Sequence, residues 1–433
     1  MANHDIELAQ AMKTSGVKGI DDIPAPWIVK RLKEISKFES GWTPESKIQE
    51  YYTGDIPWAT IGDLPNERII SDTKNKISLS AVNKFNMRAI PAGTLLFSFK
   101  LSIGQVAFTA CEMFTNEAIA AFRRLTINKD FAYYALPFFV TQNCKHNIYG
   151  APLLNRELML NSFIPVPPAC EQQAIAEFLN RETSIIDQKI AIVSRKQRLL
   201  TELRKATIHD AVTKGLDKTV RMKNSTVNWM GEIPAPWRLS KLKNVCKLQN
   251  GDWGDEPDVQ NEGIVCYRKA DFLGNIITNG QTRRFISKKP FVEKYDILIE
   301  KSGGGDVNPV GSVAMVMNAE PAACSNFIAR IRANEKKEAK YLFYFLIAQY
   351  NSPHIYNLFN QTTGIQNINM QRLMSCIYPS PPSWEQQEIS EFLDRETELI
   401  DQQLALLTRQ IELFREQRKA LIHEVVTGKM RVI

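Results

Sequence analysis

The sequence predicts an α+β protein with a pseudo-two-fold internal repeat: two α+β domains joined by two long helices that form an antiparallel coiled coil. Three observations predict it. The sequence is written twice, two stretches of about 42 residues run without Gly or Pro, and the segments between them mix short β-rich runs with turn residues.

The repeat is direct. Residues 12–27, MKTSGVKGIDDIPAPW, recur at 222–237 as MKNSTVNWMGEIPAPW, an offset of 210. Residues 165–216, opening PVPPACEQQAIAEFLNRET, recur at 379–430 as PSPPSWEQQEISEFLDRET, an offset of 214. Between the blocks the similarity fades to echoes such as Ile119-Ala120 against Ile328-Ala329 and Gly150 against Gly364. Each half is a variable unit followed by a constant one, which gives domains at 1–160 (the repeat starting at 12), 161–216, 217–378 and 379–433. Two copies of this length are too long for solenoid repeats, so duplication of a whole module is expected, folding as a pseudo-dimer.

The constant blocks read as helices over 171–212 and 385–426. Pro167-Pro168 and Pro381-Pro382 end the preceding extended segments. Ser383 with Gln386 forms a capping-box pattern, the first copy has Ala169 at the equivalent position and is expected to start less firmly, and Gly215 and Gly428 mark the ends. Every seventh residue gives Leu179, Ile186, Val193, Leu200 and Thr207 in one copy, and Leu393, Ile400, Leu407, Phe414 and Leu421 in the other: a coiled-coil seam. An ordinary amphipathic helix would drift to a 3.6 period instead. Each helix begins acidic (Glu171, Glu177, Glu182; Glu385, Glu388, Glu391) and ends basic (Arg204, Lys205; Arg418, Lys419), which suits its own dipole and favours an antiparallel pair. At about 1.5 Å per residue the rod is roughly 60 Å long, the rise of about 18 base pairs, so it can act as a ruler.

The variable blocks hold strand candidates at Thr94 to Phe99, Val106 to Thr109, Asp296 to Glu300 and Ser312 to Met317. Polar and basic residues gather near their turns: Lys74 and Lys76; Lys100, Ser102 and Gln105 around Gly104; Arg268 and Lys269; Arg283 and Arg284; Lys288 and Lys289; Lys301 and Ser302. Tyr51, Tyr52, Trp58 and Trp253 are interleaved with them. Such residues reach phosphates or read base edges, which makes them DNA-binding candidates; solvated surface charge is the competing reading for each one singly.

Composition bounds the rest. With 433 residues, 44% hydrophobic and 23% charged, the chain is globular and its net charge of +7 only mildly basic. No apolar run approaches the roughly 20 residues of a membrane span, and no secretory signal opens the chain, so a cytoplasmic protein is expected. Seven cysteines without Cys-x-x-Cys spacing read as buried or partly buried apolar residues rather than disulfides or a zinc site. The Gly303–Gly305 run lacks a phosphate-loop pattern, Asn308-Pro309-Val310 lacks an amino-methyltransferase continuation, and Pro257-Asp258 with Glu338 and Lys340 matches a nuclease only by chance. His209 and His423 occupy equivalent helical positions and read as packing or surface residues rather than catalysts. No catalytic or metal cluster is evident, and the chain reads as non-enzymatic.

The half-repeat with IPAPW near its start and a Pro-Pro-x-x-Glu-Gln-Gln-x-Ile helix resembles the specificity (S) subunit of type I restriction-modification systems across essentially the whole chain. Glu171-Gln172-Gln173, Glu385-Gln386-Gln387, Gly54-Asp55-Ile56-Pro57-Trp58 and the runs at 97–108 and 300–311 carry the likeness. The resemblance implies two target recognition domains, each reading one half of a bipartite double-stranded DNA target, with the rod fixing the spacer. It also implies two methyltransferase subunits that bring S-adenosylmethionine, with no cofactor in this chain, and motor-nuclease restriction subunits. Two other classes stay open: an enzyme carrying its own methyltransferase or nuclease activity, and a coiled-coil scaffold without DNA specificity.

Overall fold

The computed structural model describes residues 11–432 except 18, 65–67, 257–262, 287–291, 306–307, 319 and 363–364. Two compact units divide the chain: residues up to 192 together with 410 onward, and residues 193–409. Each unit holds one variable domain and parts of both long helices, because the division falls inside the helices.

In the first unit five strands form one sheet: β1 (Ser36–Ser40), β2 (Ile69–Ile70), β3 (Leu95–Ser98), β4 (Val106–Thr109) and β5 (Ile119–Leu125), in the order β1-β5-β3-β4-β2. Only the β2–β4 edge is parallel. In the second unit β6 (Cys246–Asn250), β7 (Ile276–Ile277), β8 (Ile297–Glu300), β9 (Val313–Val316) and β10 (Ile328–Ala333) repeat that order, β6-β10-β8-β9-β7, again with one parallel edge. A three-stranded sheet accompanies each: Ile56–Ala59 with Lys76–Ile77 and Phe114–Thr115, and Ile264–Tyr267 with Arg283–Arg284 and Ala322–Cys324. The two domains therefore share a topology where their sequences share little.

The central strands explain the apolar runs. All four residues of β3 and of β8 are buried. Side chains alternate across a strand: Leu95 and Phe97 face the helical core while Leu96 faces the smaller sheet's side, and Ile297 and Ile299 are divided from Leu298 in the same way. A sheet covered on both faces needs continuous hydrophobicity rather than alternation. Helices α1 (Lys129–Thr141) and, in the second unit, α3 (Ala339–Asn351) supply one cover.

The long helices are α2 (Ala169–Lys214) and α4 (Ser383–Val426). In the first unit Ile175 and Leu179 share a core with Val425 and Val426, Asp187 accepts from Arg418 at 2.9 Å, and Lys189 sits over Phe414. In the second, Gln197 donates to Thr408 and Arg204 forks onto Asp401 at 2.9 and 3.1 Å. Within each unit one residue number rises as its partner's falls, so the pairing is antiparallel. Leu179, Ile186, Val193, Leu393, Ile400 and Leu407 are buried, and Leu200, Phe414 and Leu421 half-buried. Ile411, absent from the heptad reading, is buried too.

The helix starts differ from the capping-box expectation. Ser383 is itself helical, and Gln386 does not turn back to it but donates to the Pro381 carbonyl at 3.0 Å. Gln172 does the same to Pro167 at 2.8 Å, so Ala169 leaves the first helix no less anchored. The amide reaches over the proline pair, whose missing N–H groups cannot hold the turn.

The repeated IPAPW motif closes each unit against a helix end. Trp27 and Trp237 are fully buried, on the order of 200 Å² each. Trp237 donates its indole N–H to Glu385 at 2.9 Å and packs on Gly215, where α2 stops. Trp27 and Pro24 pack on Gly428, just past α4. Both glycines have positive φ, +69° and +74°, and a Cβ on Gly428 would lie 2.4 Å from the Pro24 ring. Cysteines are mixed: Cys246, Cys266 and Cys324 are buried, their thiols pushed up to about 12, 11 and 12 by burial, whereas Cys170 is exposed, against the expectation for it.

Gly428→Ala therefore combines left-handed strain with a clash and should cost about 2–4 kcal/mol in denaturant unfolding. Gly274→Ala, with φ of +63° but open space around it, should cost only about 1–2 kcal/mol. Equal losses would show that the close approach of Pro24 contributes nothing.

Candidate nucleic-acid interface

Strand pairing gathers particular loops at one end of each large sheet. In the first unit Ser40 and Phe97 both pair with Ala120, so Gly41–Thr43 after β1, Lys100–Gly104 between β3 and β4, and Asn116–Ala118 before β5 lie together. Gly41 is required there, since a Cβ would fall 1.7 Å from the Thr115 carbonyl. In the second unit the same logic joins Gly251–Gly254, the loop opening at Lys301, and Ser325–Phe327.

The first-unit candidates divide between this end and other places. Lys100 and Ser102 are exposed on it, and Glu117 beside them bonds Thr43. Burial pushes the Glu117 carboxyl up, but the Thr43 hydroxyl, a backbone N–H and Lys100 outweigh it and hold the group below its usual range. Lys74 is exposed, and Lys76, on the smaller sheet, pairs with Asp72 at 3.1 Å. Gln105 faces elsewhere: its buried Oε1 has no protein partner among the described residues. It lines a cavity of about 780 Å³ with Arg68, Tyr133, Asn180, Asp187 and Arg418.

In the second unit Lys301 donates to Asn250 at 3.3 Å and Ser302 bonds Asn367. A short strand at Ser302–Gly303 pairs with Ile365–Ile368, and Gln366 accepts from the Val310 N–H at 3.0 Å, so the glycine run is folded around a buried amide. Arg268 is exposed. Lys269 is engaged internally, donating to Ser312 and lying 3.9 Å from buried Glu300; desolvation lowers its pKa. Arg283 is exposed and donates to the Gly263 carbonyl at 3.0 Å. Arg284 is stacked 4.2 Å over Trp253 and paired with Glu256 at 2.9 Å. Lys288 and Lys289 lie outside the described residues. Lys76-Ile77 and Arg283-Arg284 thus occupy equivalent strands, a correspondence the sequence does not show.

Apolar groups are exposed on the domain loops without a signal in the sequence. Leu101 is 86% exposed with φ of +58°, Trp42 is 53% exposed and stacked on Phe85, and Phe327 is 58% exposed. Ile148 and Tyr149 cap a hairpin (Lys145–His146 with Pro152–Leu153) at 90% and 87% exposure. Hydrophobicity alone marks them as core; their exposure follows only from the loop paths.

The domains meet the helices within each unit through matched tyrosines. Tyr134 bonds Asn180 at 2.9 Å and Thr183 at 3.0 Å; Tyr344 bonds Asp394 at 2.8 Å and Thr397 at 3.3 Å. The charges around them differ: Arg68 pairs with Asp130 of α1 and bonds Asn180, whereas Lys340 of α3 pairs with Asp394. Among the described residues no group of three or more His, Cys, Asp or Glu is placed to hold a metal ion, and no helix is long and apolar enough to cross a membrane.

A sequence model described as the type I restriction modification DNA specificity domain matches residues 24–199 and 234–411. The chain is 24% identical over 435 residues to the type I restriction enzyme MjaIX specificity subunit of Methanocaldococcus jannaschii, covering 95% of each. It is 28% identical over 446 residues to the putative MjaX specificity subunit of the same organism, covering 95% of this chain and 96% of the relative. A chain solved in work on complex assembly and conformational transition of the type I R-M system superposes with a TM-score of 0.68 at 17% identity, covering 94% of this chain and 99% of that one, which shows the shared fold.

Lys100→Ala and Lys301→Ala should each weaken duplex DNA binding uniformly across sequences and reduce the salt slope by about 1, as loss of one phosphate contact does. A change in base preference at a single position, costing about 1–3 kcal/mol there, would make the residue a base reader instead.

Proposed function

The chain belongs to the type I restriction-modification DNA specificity family, and on that footing we propose that it is the sequence-reading subunit of such a complex. Each recognition domain reads one half of a bipartite duplex target, and the paired helices set the number of unread base pairs between the halves. The observation that carries this reading is the common sheet order of the two domains, with different side chains at equivalent loop positions. A single scaffold presenting two different loop sets suits two different half-sites. The subunit is non-catalytic; S-adenosylmethionine chemistry belongs to methyltransferase subunits, and cleavage to restriction subunits. The complex works in the cytoplasm, where the cell's DNA is.

The helices also carry apolar residues that do not face the seam. Ile185 and Ile192 in the first unit are 41% and 70% exposed, and Leu413 48%. In the second unit Leu199, Leu399 and Leu406 are 60%, 54% and 72% exposed. Each lies one residue before a seam position, so a second apolar row runs at heptad spacing beside the buried one. Such a row supports docking of the methyltransferase subunits on the rod.

Inserting one heptad at matched positions of α2 and α4 should lengthen the spacer while leaving both half-sites intact. Methylome sequencing of cells carrying the system reads this directly, and an unchanged spacer would refute the ruler. Leu406→Glu should leave thermal unfolding within about 0.5 kcal/mol of the parent, as surface changes do, while abolishing co-purification of the methyltransferase subunit. Undiminished co-purification would remove this row from the docking surface.

A further inference from the structure

We propose that Leu101 is a base-reading residue of the first recognition domain, contacting the 5-methyl group of a thymine in that domain's half-site. The inference rests on the DNA-specificity reading above and assigns one contact within it.

The loop between β3 and β4 is braced from within. Gly104 donates to the Ser98 carbonyl at 2.9 Å, Ile103 to that of Leu101 at 2.8 Å, and the Gln105 N–H to Ser98 Oγ at 3.0 Å. The Ser98 hydroxyl in turn bonds the Ser102 carbonyl. Ile103 packs on the helical core. These bonds hold Leu101 in the left-handed region, where a Cβ is strained against the following carbonyl oxygen. The side chain recovers none of that in the fold, since it is 86% exposed.

The second domain shows the cheaper solution. Counting from the paired residues Ser98 and Glu300, the position of Leu101 falls at Gly303, whose φ of +137° is a different conformation, within a short strand paired to Gln366. Glycine adopts either positive-φ backbone without strain, so the equivalent position bears no side chain. The first domain instead spends strain to present an isobutyl group, rigidly, between exposed Lys100 and Ser102 at the sheet end. Strain retained without an internal gain points to an external contact. The only apolar feature of a major-groove edge is the thymine methyl, and Leu has the size and chemistry to meet it while Lys100 reaches the backbone.

The test uses the full-length chain with its methyltransferase subunits and the target defined by methylome sequencing. Each thymine of the half-sites is replaced in turn by uracil, which lacks only the methyl group, and duplex affinities are compared for the parent, Leu101→Gly and Leu101→Met. At one thymine of one half-site the parent should bind the uracil duplex about fourfold more weakly, the equivalent of about 0.8 kcal/mol for one buried methyl. Leu101→Gly should bind both duplexes equally, at the weaker level, and Leu101→Met should keep the discrimination. Leu101→Gly should also unfold at or above the parent temperature, since it relieves the strain. The proposal is overturned if no thymine distinguishes the parent from Leu101→Gly, or if Leu101→Gly unfolds at lower temperature. If the parent complex itself fails to select its target, the specificity reading fails instead.

Discussion

The fold depends on the antiparallel contact between α2 and α4, helices that begin more than 200 residues apart in the chain. Neither could persist alone as an amphipathic rod in water, since helices gain most of their stability from packing one face. Each also supplies what the other's end needs. Where α2 stops at Gly215, the Glu385 carboxylate at the start of α4 takes the Trp237 indole N–H. The Glu385 carboxylate suits the start of its own helix but not the carbonyl end of α2 beside it, and an indole that is both apolar filler and donor covers it there. The two units solve this differently, for the Trp27 indole nitrogen has no such partner among the described residues.

From that contact the domains take their positions within each unit. Asn180 and Thr183 of α2 receive Tyr134, and Asp394 and Thr397 of α4 receive Tyr344. Two long side chains bonded to the rod from a packed helix fix a domain more tightly than a flexible linker could, because their own rotamers are set by the core. The surrounding charges have diverged while the tyrosine–threonine pairs have kept their geometry. Geometry is thus common to the halves, and the polar chemistry around it is not.

At the opposite extreme lie the loop ends of the sheets. Here the chain invests in backbone bracing rather than side-chain burial, through Ser98 in one domain and Gln366 in the other. Braced loops present side chains at little ordering cost on binding, which is where discrimination between similar ligands is gained. Two basic residues that the sequence suggests for contact are partly committed inside the protein, Lys269 to Glu300 and Arg284 to Trp253 and Glu256. The modest net charge of +7 is consistent with an interface made by a few placed groups rather than a broad basic field.

The repeat, the two helices and their direction were legible in the sequence because heptad spacing, charge gradient and the absence of Gly and Pro are local and periodic. The strands at 95–98, 106–109, 297–300 and 313–316 were legible for the same reason, their buried faces demanding runs of apolar residues. The shared topology of the variable domains was not, because the sheet order is fixed by pairings as distant as Ser36 with Leu125 and Cys246 with Ala333, and many sequences satisfy it. Gln386 illustrates the limit on a small scale: its spacing from Ser383 fits a cap, but the proline carbonyl five residues back wins the amide. Leu101 illustrates it at the site. By composition it is one more core leucine, and only the path of a braced loop places it in solvent with a strained backbone.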